Sequence, residues 1–403
     1  MALESKRPHF FLMLTEFSKR IRLPIESTLI AFCALSLTCD AGASTPNIVF
    51  ILADDLAWSD LGCYGHTYHE TPNLDRQAEQ GMRFTQAYAP TPICSASRAA
   101  ILTGKSPARL NFEFVTKDSP DVPDLKQPLT PPPYTLDLPL KEMTMAEVLA
   151  PAGYTTGFFG KWHVSQHHGG YLGWWPTHGP LHRGFSELSS DFGSHPYAYK
   201  SNPGLKDSTV EEGQYPQDTL TDQALRFIRS HRHERFFLYL SHYYVHDPIH
   251  TRCQWLVEKY RAKLPPGSTT VRADYAAMVE TLDHEIGRVL DEIDVLNLAD
   301  NTLIVCMSDN GGHPDYTTNA PLRGSKRNLY EGGIRVPFIV RWPDHSPAGS
   351  ICDTPVHGCD LFPTFVELAG AKADNVAGLS LAPLLLDPVN PLPDLTLLWL
   401  LPY

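Results

Sequence analysis

The 403-residue chain has no CxxC pair and no histidine cluster at zinc-finger spacing, although it carries 8 cysteines and 18 histidines. Thiolate zinc modules and redox dithiols are therefore not expected. There is no surplus of positive charge either. With 33 basic against 45 acidic residues, the formal net charge is −12. That argues against a general nucleic-acid binder, but not against a local basic pocket for a small anion. No apolar run is long enough to span a bilayer as a helix, and there is no internal repeat or extended low-complexity tract. Hydrophobic residues make up 42% and charged ones 19%, a globular balance, and the 35 prolines predict long irregular loops.

Near the N-terminus, Lys19, Arg20 and Arg22 precede the uncharged stretch STLIAFCALSLTC (27–39) and the small-residue segment DAGAS. A basic region, a short apolar region and a small-residue site predict an export signal that ends at Ala43. On that reading residues 1–43 are a leader and the mature protein is secreted or periplasmic. The leader holds five basic and four acidic groups, so the mature chain is expected at −13. Six cysteines follow it. Cys352 and Cys359 are the candidates for a disulfide in an exported protein, and Cys306 inside LIVC reads as a buried apolar thiol.

Four apolar runs share one pattern. NIVFILADD (47–55) ends in two aspartates, YTTGFFGKWH (154–163) in a lysine and a histidine, and NTLIVCMSDNGGH (301–313) runs into Asp309 and Asn310. RFFLYLSHYYVHDP (235–248) leads into histidines. Continuous apolar runs of this length suit strands covered on both faces, hence a largely parallel sheet. Between them, Met278, Leu282, Ile286, Val289 and Ile293 recur at helical spacing and predict one apolar helix face. Strands alternating with helices predict an α/β layered domain, in which ligands gather at the carboxyl ends of strands. Taken singly, an aspartate after a strand is more often a cap or turn former, and a lone histidine among aromatics is more often structural. Four such strand ends together predict a site.

Asp54, Asp55, Asp309 and Asn310 offer oxygen atoms only. That favours a hard divalent cation, calcium with magnesium as the alternative, over zinc. Three carboxylates around a divalent ion leave one negative charge, and Arg98, Lys161 and Lys326 would reverse it and attract an anionic substrate. The stretch TPICSASRAAILTG (91–104) reads as the start of a short helix broken by Gly104 and Pro107. Cys94 would lie just before its N-terminus, where free N–H groups favour negative charge. Locally, a buried structural cysteine and a thiolate nucleophile are equally open readings.

CSASRAAILTG resembles the motif of type I sulfatases, Cys-x-Pro-x-Arg followed by a short helix ending in Thr-Gly. TPNIVFILADDLAWSDLGCYG, GKWH, HDP, SDNGGH and PLRGSKRNLYEGGIRVP resemble further sulfatase blocks, in family order, from about residue 45 to about 340. The resemblance implies the alkaline-phosphatase/sulfatase-like α/β fold and hydrolysis of sulfate esters. It implies that Cys94 is oxidised to formylglycine, whose hydrate attacks sulfur with one hydroxyl and uses the other to expel sulfate. Asp54, Asp55, Asp309 and Asn310, with the modified Cys94, match the family's calcium ligands. Arg98 matches the residue that stabilises the hydrate and the carboxylates, and His163 the histidine that hydrogen-bonds the formylglycine. Lys161, His246 and Lys326 match the groups that hold sulfate oxygens, with His246 or Lys326 protonating the departing alcohol. A sulfated sugar or polysaccharide as substrate and a formylglycine-generating enzyme as maturation partner are implied as well. No nucleic acid and no stable membrane span are expected.

Ala96 stands where the family usually has proline, which leaves the maturation system, aerobic or anaerobic, open. Residues 44–375 are expected to form the catalytic domain. Residues 376–403 resemble only the start of the family's antiparallel C-terminal subdomain, which would be largely absent, leaving LLWLL exposed. The Pro-rich segment 105–140 and the Gly-, His- and aromatic-rich segment 164–218 read as long insertions over the site. Within the latter, QHHGGYLGWW reads as loop packing or as aromatic faces for a sugar. The other functions to be separated from a sulfatase are a phosphoryl hydrolase of the same superfamily, expected to carry Ser or Thr and zinc ligands, and an inactive sulfate-binding protein.

Overall fold

A computed structural model describes residues 45–112, 114–115, 135–197, 208–264, 266–267, 271–372, 374–393 and 396–401. The expected leader, 1–43, lies outside the described residues, as do 116–134 of the Pro-rich segment and 198–207 of the second insertion. The strands are β1 Asn47–Ala53, β2 Met82–Phe84, β3 Ala87–Tyr88, β4 Thr155–Gly160, β5 Glu187–Leu188, β6 Phe236–Ser241, β7 Thr302–Ser308, β8 Phe338–Arg341, β9 Ser350–Cys352 and β10 Val356–His357.

Among the described residues, eight strands form one sheet in the order β5-β4-β6-β1-β7-β8-β2-β9, and β10 pairs with β3 separately. The four apolar runs form the adjacent parallel strands β4, β6, β1 and β7. Alternate side chains of β1 enter opposite cores. Ile48, Phe50 and Leu52 meet Ala99 and Ile101 of the helix Cys94–Thr103 and Phe362 and Phe365 of the helix Leu361–Leu368. Val49, Ile51 and Ala53 meet the helices Thr219–Ser230 and Val271–Val295. With helices on both faces, every residue of β1 is buried, which is why its sequence shows no alternation. The predicted stripe Met278, Leu282, Ile286, Val289 and Ile293 is the buried face of Val271–Val295. β8 departs from the parallel pattern, running antiparallel to both β7 and β2.

Cys352 and Cys359 are free thiols, and Cys352 Sγ lies 3.4 Å from the Pro388 carbonyl. The segment after residue 375 packs onto the domain, with Leu381, Leu384 and Leu385 in its core. LLWLL is exposed only in part. Leu398 and Leu400 face outward, but Trp399 Nε1 donates to the Ala89 carbonyl at 2.8 Å and its ring packs on Tyr88 and His357. Among the described residues no helix is long and apolar enough to cross a membrane.

Candidate active site

The strand tips are fastened to one another before any functional side chain is placed. Asp309 N donates to the Ala53 carbonyl at 3.1 Å, Asp54 N to Tyr244 at 2.8 Å and Val245 N to Asp54 at 2.7 Å. Leu56 N donates to Ser308 Oγ at 3.0 Å. At the end of β4, Gly160 adopts φ 120°, and a Cβ there would lie 1.9 Å from the Ser241 carbonyl oxygen. Glycine thus permits the close approach in which Lys161 N donates to that same carbonyl at 2.9 Å. Asp55 and His163 take left-handed backbone conformations, φ 63° and 54°, a sparsely used region that clusters at functional sites.

Carboxylate oxygens of Asp54, Asp55 and Asp309 come within 4.8 Å of one another, all buried. Three buried cations surround them. Lys161 Nζ lies 2.6 Å from Asp54 Oδ2 and Lys326 Nζ 2.6 Å from Asp55 Oδ2. The Arg98 guanidinium donates to Asp309 Oδ2 from Nε at 2.8 Å, and its second nitrogen lies 2.7 Å from that oxygen and 3.4 Å from Asp54 Oδ1. Its third nitrogen donates to the Lys161 carbonyl and to Ser241 Oγ. Asn310 Nδ2 donates to Asp55 Oδ1 at 2.8 Å. His246 is oriented by its Nδ1, 2.7 Å from the Asp247 carbonyl, so that Nε2 faces Asp55 at 3.6 Å.

Cys94 is the first residue of its helix and Ile93 the cap, one position from the sequence expectation; Gly104 ends the helix at φ 64°. The loop carrying Lys326 is tied to both neighbours: Lys326 N donates to Gly312 and Arg327 N to Pro92, two residues before Cys94. The buried Cys94 thiol is pushed up by desolvation and feels the charges of Lys161, Lys326, Asp54 and Asp309. As an unmodified side chain it is therefore a poor thiolate.

Burial alone would raise all three carboxyls, and their neighbours sort them. Lys161, His246, Arg98 and Lys326 hold Asp54 well below the carboxylate range, and Lys326 and His246 lower Asp55. Asp309 goes the other way, to about 7, because desolvation and the charges of Asp54 and Asp55 outweigh Arg98. Desolvation, then Lys161 and Arg98, keeps His163 neutral, and neither of its ring nitrogens has a partner among the described residues. Asp54 Oδ1 and Asn310 Oδ1 are buried and accept no hydrogen bond among the described residues. A buried oxygen-only set with orphaned acceptors and a carboxyl destabilised by its own neighbours suits a hard divalent cation.

All ten sequence-predicted residues thus come together where the strand tips and their adjoining loops meet the first turns of the helix Cys94–Thr103. Sequence reasoning missed His195, whose ring stacks on His246 at 4.8 Å. It also missed Ser241 under Arg98 and Ser308 under Leu56. His195 lies in SHPYAY, inside the segment noted only for its Gly, His and aromatic content, and no spacing signal marks it. From QHHGGYLGWW, Tyr171 reaches the site's edge, its ring centroid 5.1 Å from His167 and 6.1 Å from His195.

A doubly covered, mainly parallel sheet with acidic strand tips and a buried residue 94 at a helix start defines a hydrolase of the alkaline-phosphatase/sulfatase-like fold. The comparisons narrow the class. The sulfatase family model matches residues 46–371. N-acetylgalactosamine-6-sulfatase of Rattus norvegicus is 32% identical over 92% of this chain and 70% of its own length. Arylsulfatase A of Homo sapiens is 33% identical over 86% and 69%. The solved structure of Ps i-CgsB, also known in complex with k-i-k-neocarrahexaose, superposes with a TM-score of 0.70 at 32% identity over 86% of this chain and 77% of that one. The chain belongs to the type I sulfatase family and is a sulfuric ester hydrolase.

Proposed function

We propose that this sulfatase removes sulfate from a sulfated sugar or polysaccharide, using formylglycine made from Cys94 beside a calcium ion held by Asp54, Asp55, Asp309 and Asn310. The observation that carries the reading is the meeting of three carboxylates from two strand tips beside Cys94, ringed by Arg98, Lys161 and Lys326. The sugar assignment draws on the relatives named N-acetylgalactosamine-6-sulfatase and on the k-i-k-neocarrahexaose held by Ps i-CgsB. What the ion supplies is positive charge at the sulfate oxygens and the attacking oxygen. What the modified residue 94 supplies is a carbon bearing two hydroxyls, one to attack sulfur and one to drive release of sulfate.

The chain's own residues do the rest. Arg98, kept charged by Asp309 and Asp54 despite its burial, fixes two of the carboxylates and braces Ser241 and the Lys161 carbonyl. Lys161 and Lys326 neutralise Asp54 and Asp55. With those oxygens given over to a cation, both ammonium groups would be free to hold the anionic substrate. His246, anchored through Nδ1, keeps Nε2 free to hold a proton for the departing alcohol. His163, neutral and unpartnered, is available to hydrogen-bond residue 94. Export, a leader ending at Ala43 and a separate maturation enzyme that accepts Ala96 belong to the same proposal.

The test is the mass of the tryptic peptide containing position 94, together with turnover of an aryl sulfate. The reading expects –CHO in place of –CH2SH, and turnover abolished in Cys94→Ala and by chelator. An unmodified, fully active thiol form, or faster turnover of the aryl phosphate, refutes it.

A further inference from the structure

Outside the ten residues above, the buried side chain of His195 lies against Asp54 and His246. His195 is 5% exposed, and its Nε2 is buried without a hydrogen-bond partner among the described residues. Its ring lies nearly parallel to His246, 4.8 Å away at 18°, and also packs against Tyr197 and Tyr243 at 5.5 and 5.7 Å. A ring nitrogen of His195, a carboxylate oxygen of Asp54 and a ring nitrogen of His246 all lie within 4.8 Å of one another. A buried polar atom without a partner is costly unless something else satisfies it.

The surroundings decide what that something is. Asp54 Oδ2 is already taken by Lys161, and Oδ1 faces Arg98. On the site reading above, an ion on Asp54 and Asp55 would leave Lys161 and Lys326 without their carboxylate partners, so a second cation beside them would be repelled, whereas an anion would be held. An imidazole ring carries an N–H that can be donated to an anion.

We propose that His195 binds the sulfate group of the substrate through a ring N–H, as a further donor beside Lys161, Lys326 and His246. The inference rests on the site reading given above. It separates His195 from a merely structural ring, because the N–H, not the stacking surface, carries the effect.

Two variants divide these roles. His195→Phe keeps an aromatic face against His246 and loses the donor, whereas His195→Gln keeps an N–H and loses the ring. Binding of inorganic sulfate to the full chain with calcium present is measured by titration calorimetry, alongside KM and kcat on an aryl sulfate. A hydrogen bond to a charged group predicts that sulfate binds His195→Phe more weakly by about tenfold or more. KM should rise in parallel, and His195→Gln should stay close to wild type in both. Equal binding by His195→Phe and wild type overturns the inference and leaves the sulfatase reading intact. So does a loss in His195→Gln as large as that in His195→Phe, which would assign the effect to ring packing. Zinc binding that disappears in both variants while sulfate binding persists would assign the pair to a metal and overturn it as well. Failure of the wild type itself to bind sulfate would overturn both readings.

Discussion

Replacing Arg98 by leucine removes the counter-charge from a buried carboxylate pair, and the structure sets both the size and the pH dependence of the loss. Arg98 is 1% exposed and contacts Asp309, Asp54, Ser241 and the Lys161 carbonyl. Removing one partner of a buried ion pair costs about 3–5 kcal/mol. For a folded unit of about 360 residues, the unfolding entropy makes each kcal/mol worth roughly 1.3 °C, so the midpoint should fall by about 4–7 °C in calcium-free buffer at pH 8. Asp309 titrates at about 7 with Arg98 present and higher without it. A group whose folded pKa is raised stabilises below its unfolded value, and that stability is lost as pH rises through the folded pKa. Wild type therefore ionises Asp309 above pH 7 while the variant still holds the proton. The gap between them should widen by about 1.4 kcal/mol per pH unit above 7 and shrink toward pH 6. The assay is thermal unfolding from pH 5.5 to 9. A gap that is constant across this range, or below about 1 kcal/mol throughout, refutes the charge-pair account of Arg98.

Two further perturbations probe the scaffold. Asp283 accepts from the N–H groups of Asn73 and Leu74 at the start of the helix Pro72–Gln80, and burial pushes its pKa up to about 6. Its contribution is present below about pH 4 and lost as pH rises through 6, so Asp283→Asn should gain on wild type by about 3 kcal/mol between pH 4 and 7 in thermal unfolding; parallel pH profiles would contradict this. Gly160→Ala places a Cβ 1.9 Å from the Ser241 carbonyl and should cost about 3 kcal/mol. It should also reduce kcat on an aryl sulfate by more than the unfolded fraction explains, because Lys161 moves with it; unchanged kcat would show that Lys161 is not held by this contact.

The long central strands and the tips that carry the site were legible because burial on both faces writes itself as an unbroken apolar run, and β1, β4, β6 and β7 all have one. The helix Val271–Val295 was legible through several turns of repeating apolar positions. β3, β5 and β10, at two residues each, are too short for any period to appear. The reversed β8 leaves no local mark, since an antiparallel strand covered on both faces reads like a parallel one. Within the site, residue types and order pointed to the carboxylates and cations that the fold brings together. The pairing of Arg98 with Asp309, 211 positions apart, and the face that His195 turns to His246 arise only from folding. The fate of LLWLL depended on one such contact too: Trp399 finds the Ala89 carbonyl, which hydropathy alone does not foretell.

The most direct test of the central claim is a crystal structure of the calcium-loaded protein. It should show one ion bound by Asp54, Asp55, Asp309 and Asn310 at about 2.3–2.6 Å, with residue 94 beside it and Lys161 and Lys326 displaced from their carboxylates. Lysines still paired with Asp54 and Asp55 at saturating calcium, or an ion seated elsewhere, would contradict it.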